Sequence, residues 1–480
     1  MKTTNTRSRI IATIGPQNAN IDSIRELSAA GMSIARLNGS HNTLDWHSTT
    51  IRTIQTAIPL LPILLDIPGR KIRTALIDEP LVFDKNELIT LTTDSSRATE
   101  KIIAVSFEKL HEFLNPGQVV FADDGTLKFV VERVDGREII LRSYMAGKLG
   151  SRKGINVPGV DLGPVLVTPK DKAMIEFAIN HDVDFIGLSF VESAKHVQMI
   201  RDVIGDSPLP KIVSKVENQI GYSNMQEIIE SSDAIMIDRG DLSVETDLET
   251  VALRQKVIIE TARLLSKPVI VATEMLHSMI VNSFPSKAEV SDVTNAVLDG
   301  CAATMLSGET AVGSFPIEAI TTMRKIVEQT EIFMKTGSVG GTQTPKLDVP
   351  NDATAKAIAI ICESMEIDKL IAVTRSGFAA RTLSAIGVEV PIIAVSDVAA
   401  NSKSFNIYAG VTGVVFPGEF STTNTSHVSG VLKHLWQQKL ITDEEQILVT
   451  ALAYPTSGKR MNLIETHMVG DLAHALAWKA

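Results

Sequence analysis

Two segments of the chain, Ile212-Val213-Ser214-Lys215-Val216-Glu217-Asn218 and Ile235-Met236-Ile237-Asp238-Arg239-Gly240-Asp241, are short apolar runs that stop abruptly in charge. On a strand, Lys215 and Glu217 are two positions apart and face the same side. Glu217 and Asp241 could then share one hard cation, with Lys215 beside it as a fixed positive charge. Two carboxylates, a magnesium ion and a lysine suit the transfer of a phosphoryl group. A structural Lys215–Glu217 ion pair inside a barrel is the plainer alternative.

The elements that must position these groups recur along the chain. Apolar β-rich runs at Ile10–Ile14, Ser33–Leu37, Ile63–Ile67, Phe185–Phe190, Ile212–Val216, Ala234–Ile237, Val269–Ala272 and Ala303–Leu306 read as eight strands. Helical patterns such as Ile21–Ala30, Asp171–Asn180 and Leu248–Leu265 lie between them. This alternation predicts an α/β fold, a (β/α)8 TIM barrel with its active site at the C-terminal strand ends. Arg36, Asn38, Asp66, Ser189, Lys215, Glu217, Asp241, Thr273, Glu274, Ser307 and Glu309 all fall at those ends.

The alternation is interrupted after Asp66. Short alternating runs at Glu87–Thr92, Gln118–Phe121, Leu127–Val134 and Glu138–Arg142 are separated by Asn115-Pro116-Gly117, Asp123-Asp124-Gly125 and Asp135-Gly136. They predict an inserted β-rich lid domain over residues 70–162, hinged at Gly69 and at Gly159 to Gly163. The barrel then comprises 1–69 and 163–335, followed by a Gly/Ser-rich linker at 336–350. Residues 351–480 read as a C-terminal α/β domain, doubly wound, with strands at Leu370–Thr374, Pro391–Val395, Val411–Phe416 and Gln446–Ala451.

Composition narrows the function class. The 480 residues are 44% hydrophobic and 21% charged, as in a globular enzyme of two or three domains. A net charge of −10 argues against nucleic acid or an anionic membrane as partner. The two cysteines, Cys301 and Cys362, build neither a disulfide framework nor a cysteine metal site, and imply a reducing compartment. Met1 to Ile14 has no long apolar core, and no apolar run approaches the roughly 18 residues of a membrane span. A cytoplasmic protein is expected.

Several segments resemble one family, pyruvate kinase, over nearly the whole chain. Ala35-Arg36-Leu37-Asn38-Gly39-Ser40-His41 is similar to that family's R-x-N-x-S-H element, and Leu149 to Gly159 to its lid-return motif. Ser214–Asn218 and Arg239–Leu242 resemble S-K-I-E-N and R-G-D-L. Ala272-Thr273-Glu274-Met275-Leu276 resembles A-T-Q-M-L, and Met305–Thr310 reads M-L-S-G-E-T.

The resemblance implies that phosphoenolpyruvate and ADP give pyruvate and ATP, with Mg²⁺ or Mn²⁺ held by Glu217 and Asp241. It implies Lys215, Arg73, Thr273 and Ser307 as catalytic groups: Lys215 and Arg73 neutralise the phosphoryl group in flight, and Thr273, with water and Ser307, delivers a proton to carbon. Substrate is expected on Arg36, Lys215, Gly240, Asp241 and Thr273; Gly240 and Asp241 are expected to open the loop before the helix that contains Leu248–Leu265, where backbone N–H groups bind a carboxylate. Nucleotide is expected on Asn38, His41, Arg73 and Lys153. The resemblance also implies a homotetramer. Thr374-Arg375-Ser376-Gly377 resembles the family's effector phosphate loop, but Phe378 and Ala379 replace a basic residue and a hydroxyl. A weak or altered response to sugar bisphosphates is expected, with a sugar monophosphate or nucleotide as the alternative effector.

The third-strand motif departs from the family. D-T-K-G-P-E-I-R is here Asp66-Ile67-Pro68-Gly69-Arg70-Lys71-Ile72-Arg73. In the family a K⁺ ion is held by residues matching Asn38, Ser40, Asp66 and position 67. Ile67 lacks the hydroxyl, and Lys71 reverses a charge. Lys71 is therefore expected to replace the ion as a tethered cation, making K⁺ unnecessary. Asp238 stands for alanine, Glu274 for glutamine and His277 for an acidic residue. The competing functions are a metal-dependent barrel lyase acting on a pyruvate enolate and a non-catalytic regulatory paralogue.

Overall fold

The computed structural model describes residues 6–123, 125–161, 163, 166–336, 353–452 and 461–478. All of the expected linker at 336–350 except Thr336, which ends a helix, lies outside them, as do Asp124 of one turn and Leu162 at the lid boundary. Eight parallel strands close a barrel: β1 (Arg9–Thr13), β2 (Ile34–Asn38), β3 (Ile63–Ile67), β4 (Phe185–Leu188), β5 (Lys211–Val216), β6 (Ala234–Asp238), β7 (Val269–Ala272) and β8 (Ala303–Leu306). Each lies within a residue or two of its expected position. Neighbours in sequence are neighbours in the barrel, and β8 closes on β1.

The barrel wall follows from strand periodicity. Ile11, Ile34, Leu64, Phe185, Val213, Ala234, Met236, Ile270, Ala303 and Met305 fill the interior. The alternate residues, among them Ile10, Leu65, Ile186, Ile235 and Val271, face the surrounding helices. Two steps beyond the interior apolar layer the same parity brings Thr13, Arg36, Asp66, Lys215 and Asp238 to the C-terminal rim. Helices start on side-chain caps. Asn20 accepts from the Ser23 N–H, and Thr168/Asp171 and Ser286/Glu289 form capping boxes.

The insertion between β3 and β4 is a seven-stranded sheet with a separate two-stranded ribbon, Leu81–Phe83 with Gly147–Leu149. Its own core contains Phe83, Leu91, Phe129 and Leu141. The seven-stranded sheet includes Ile72–Arg73, Ile102–Ala104 and Gly154–Asn156, too short to carry a readable alternation. The lid rests on a helix, Arg239–Glu245, that opens straight from β6. There the Asn156 amide donates to Glu245 Oε1 at 2.8 Å. Burial pushes the Glu245 carboxyl up to about 7. Gly69, at φ +60°, begins the lid, and a Cβ there would meet the Ser189 carbonyl at 2.5 Å.

The C-terminal unit carries four parallel strands, Val411–Val415, Ile392–Ser396, Lys369–Val373 and Gln446–Ala451 in spatial order, plus an antiparallel edge, Leu463–Met468. It seals the bottom of the barrel. Ile407 joins the barrel's interior core, and the Lys403 ammonium sits 2.9 Å from the buried Asp184 carboxylate below β4. No helix among the described residues is long and apolar enough to cross a membrane.

Candidate active site

The rim holds one dense cluster of charge. Lys215 Nζ lies 2.6 Å from Glu217, 2.9 Å from Asp238 and 3.8 Å from Asp66, and donates to Ser189 Oγ at 3.2 Å. All these acids are buried. Burial alone would lower the Lys215 ammonium, but Asp238, Glu217 and Asp66 together raise it well above the ordinary lysine range. Burial also pushes Glu217 up; Lys215 opposes this, while Asp238 and Asp241 add to it. Asp238 is buried too, yet Lys215 and Lys71 hold it well below the usual carboxylate range. The Lys215 ammonium thus stands between two buried acids, Glu217 and Asp238, and its charge favours the ionised form of both.

Arg36 reaches inward from β2 and donates to Asp66 at 3.1 and 2.5 Å and to the Thr13 hydroxyl at 3.1 Å. A Cβ at Gly187 would meet Asp66 Oδ1 at 2.2 Å, so a bare backbone on β4 makes room for that carboxylate. Glu217 Oε2 accepts from the Phe190 N–H at 2.6 Å.

The opposite wall is strained. Thr273 and Glu274 follow β7 with φ of +67° and +53°, uncommon for any residue but glycine and costly for a β-branched one. Arg239, paired with Asp292 at 2.6 Å, holds the turn by donating to the Thr273 carbonyl at 2.7 Å. Thr273 Oγ1 thereby faces the start of the Arg239–Glu245 helix and accepts the Gly240 N–H at 2.9 Å. Gly240 and Asp241 lie inside this helix, in its first turn, and not in a loop before a later one. Ser307 is partly buried, and its hydroxyl finds no partner among the described residues. Its backbone N–H donates to Glu309, which also caps Leu276, so Glu309 is structural. Glu274 and His277 are exposed.

The structure corrects one expectation directly. The Lys71 ammonium is not among Asn38, Ser40, Asp66 and Ile67. It sits on both oxygens of Asp241, at 2.7 and 2.8 Å. The lid carries Lys71 over the helix start, and Asp241 is the carboxylate it meets. Burial would lower this ammonium, but Asp241, Asp238 and Glu217 raise it. At the expected ion site, Asn38 accepts the Ser40 N–H at 3.1 Å, and the Ile67 side chain is buried in the outer core.

The nucleotide-side residues are more dispersed. Arg73 donates to the Arg152 carbonyl at 3.0 Å, while Lys153 pairs with Asp123 at 2.7 Å within the lid. His41 is lowered by partial desolvation and then by the charges of Arg73, Arg36 and Arg152. In the C-terminal unit the Thr374–Gly377 loop precedes the helix Phe378–Ala385, but Arg375 is engaged by Asp397 at 2.7 Å and by the Phe420 carbonyl at 2.8 Å.

Carboxylate atoms of Glu217, Asp238 and Asp241 lie within 4.8 Å of one another. Hard oxygen donors at that separation fit Mg²⁺ or Mn²⁺. Asp238 is absent from the ligand set expected from sequence, although strand parity points to it. Val216 pairs with Ile237 across β5 and β6, so Glu217 and Asp238 come next, side by side.

Comparison with known proteins agrees with this geometry. Residues 5–320 match the model of the pyruvate kinase barrel domain, and residues 352–467 that of the pyruvate kinase alpha/beta domain. Pyruvate kinase of Schizosaccharomyces pombe is 36% identical over 435 residues, covering 86% of this chain and 85% of that one. Pyruvate kinase of Bacillus licheniformis is 34% identical over 482 residues, covering 97% and 81%. The crystal structure of a pyruvate kinase from Cryptosporidium parvum superposes with a TM-score of 0.83 at 30% identity, covering 97% of each chain. With both domain models matched and relatives aligned over most of its length, this chain belongs to the pyruvate kinase family.

Proposed function

We propose that this chain transfers the phosphoryl group of phosphoenolpyruvate to ADP, giving pyruvate and ATP, as the glycolytic enzyme does. The observation that carries the reading is the convergence of Arg36, Lys215, Glu217, Asp241 and Thr273 on one barrel rim, at positions matching the family's motifs. Glu217 and Asp241 would hold Mg²⁺ or Mn²⁺, which would supply charge neutralisation of the substrate oxygens. Arg36 orients the phosphoryl group, and Lys215 and Arg73 offset the charge that develops on it. The Gly240 N–H exchanges Thr273 Oγ1 for the substrate carboxylate. Thr273 then turns, with water and Ser307, to deliver the proton to the methylene carbon of the enolate. Asn38, His41, Arg73 and Lys153 take the nucleotide beneath the lid, residues 70–162, which closes on it. An assay of ATP formation from phosphoenolpyruvate and ADP tests this. Tight phosphoenolpyruvate binding without turnover would establish a non-catalytic paralogue instead.

The same reading includes K⁺ independence, now on a different physical basis. Asp66 already faces two cations, Arg36 and Lys215, and Ile67 offers no hydroxyl. A third cation there would meet net repulsion. With tetramethylammonium replacing K⁺ and NH₄⁺ at constant ionic strength, activity should stay within about twofold of its value in K⁺, a difference well under 1 kcal/mol. A rise of more than about tenfold on adding K⁺ would overturn the idea.

Regulation should differ from the sugar-bisphosphate pattern, because a phosphate at Thr374–Gly377 must compete with Asp397 for Arg375. Fructose 1,6-bisphosphate should move half-saturation for phosphoenolpyruvate by less than about twofold, short of the roughly fivefold where ordinary allosteric coupling begins. Strong activation would refute this, and a sugar monophosphate or nucleotide remains the alternative effector. Family membership supports a homotetramer, and the free cysteines Cys301 and Cys362 support a cytoplasmic location.

A further inference from the structure

We propose that Asp238 is a third carboxylate ligand of the divalent cation, and that the Lys71 ammonium is that cation's built-in competitor. This rests on the reading of Glu217 and Asp241 as metal ligands.

The argument starts from charge. Asp66, Glu217, Asp238 and Asp241 crowd one rim, opposed by Arg36, Lys71 and Lys215. The four acids are each less than a tenth exposed. Asp66 is spoken for by Arg36, which grips one of its oxygens through two nitrogens. The other three acids form a compact oxygen set within 4.8 Å, held by two lysine ammonium groups and, at Glu217, by the Phe190 N–H. Lys215 holds Glu217 and Asp238 together, and Lys71 caps both oxygens of Asp241. Each ammonium contacts carboxylates that suit a hard cation, and a divalent ion brings twice the charge to the same oxygens. Asp238 stands beside Glu217 in the β5–β6 register and three residues before Asp241, so backbone geometry alone keeps the three together.

The two lysines are not equivalent. Lys215 comes from the barrel wall and keeps Asp66 and the Ser189 hydroxyl when it gives up Glu217. Lys71 comes from the lid, between Gly69 and the lid strand Ile72–Arg73. A cation reaching Asp241 must expel the Lys71 ammonium, so the ion and the root of the lid contend for one carboxylate. The third carboxylate gives the substrate-free protein enough negative charge to win that contest.

The test is Mn²⁺ binding without substrates, with free Mn²⁺ read by electron paramagnetic resonance. Thermal melts verify that each variant is folded. Asp238→Asn keeps the side-chain shape and should bind Mn²⁺ about tenfold more weakly or worse, with Asp238→Ala behaving alike. Lys71→Met should bind it several-fold more tightly. Unchanged or tighter binding in both Asp238 variants would overturn the inference and leave Asp238 as a counter-ion of Lys215. Absence of Mn²⁺ binding by the wild-type protein would overturn it as well. Glu217→Gln in the same titration separates the two levels: if it binds like wild type, the ligand assignment beneath the inference falls, whatever Asp238 does.

Discussion

Lys215→Met is expected to cut ATP formation by about two to three orders of magnitude while leaving proton exchange at the methyl group of bound pyruvate largely intact. Lys215 carries a permanent positive charge, held above the ordinary lysine range despite burial, because Asp238, Glu217 and Asp66 surround it. A group so firmly protonated is an electrostatic partner for a phosphoryl group and a poor base for a carbon-bound proton. Removing one such preorganised charge costs on the order of 10²–10³ in turnover. NMR in D₂O follows the methyl exchange. Equal losses of exchange and transfer would mean that Lys215 also moves the proton, or that the site has collapsed.

The same variant carries a stability signature. Deleting the ammonium removes the one influence that lowers Glu217 through direct charge pairing. Glu217 is already raised from 4.5 to about 8 in the folded protein, so the folded state holds a proton that the unfolded chain releases. A carboxyl raised on folding loses stability as pH climbs from its unfolded to its folded value. Without Lys215 that window extends further upward. In metal-free buffer the melting temperature of Lys215→Met should therefore keep falling above pH 8, where the contribution of this glutamate to wild type has levelled off. A parallel pH profile for the two proteins would show that Lys215 does not offset these acids.

What was legible in the sequence tracks the range of the interactions. Strand identity and facing follow from period-two patterning, so Lys215 and Glu217 were legible as a pair on one face, and they meet at 2.6 Å. Asp238 was legible in principle through the register that sets it beside Glu217, but the two charged strand ends were read as pairing Glu217 with Asp241 instead. Lys71 was not legible. Its partner Asp241 lies 170 residues away and is met only because the lid docks on the short helix Arg239–Glu245, which carries no helical periodicity of readable length. The lid strands of two or three residues escaped for a related reason: Ile72–Arg73 and Gly154–Asn156 are strands because they pair with each other, with no alternation long enough to declare it. The edge strand Leu463–Met468 is paired on one side only and partly exposed, so its hydrophobic signal is weak.

Glu217→Gln and Asp241→Asn are each expected to reduce turnover by about three orders of magnitude, the scale of losing a preorganised charge at the transferring group. Neither should unfold the barrel. Breaking a buried pair is costly when it strands a charge, and here it does not. When Glu217 is neutralised, Lys215 keeps Asp238 at 2.9 Å, and the Phe190 N–H keeps an oxygen acceptor in the amide. When Asp241 is neutralised, Lys71 loses its main partner, but its side chain is 14% exposed and sits on the lid side of the site, where water can reach it. The expected stability change is about 1 kcal/mol, or about 2–4 °C in melting temperature for a domain of this size. The two variants should differ in one respect. Asp241→Asn frees the Lys71 ammonium and with it the root of the lid, so hydrogen exchange in Ile72–Arg73 and Gly154–Asn156 should quicken. Glu217→Gln leaves that contact alone and should protect those strands as wild type does. Near-normal activity in either variant would remove that carboxylate from the metal site, and identical lid exchange in the two would detach Lys71 from the control of the lid.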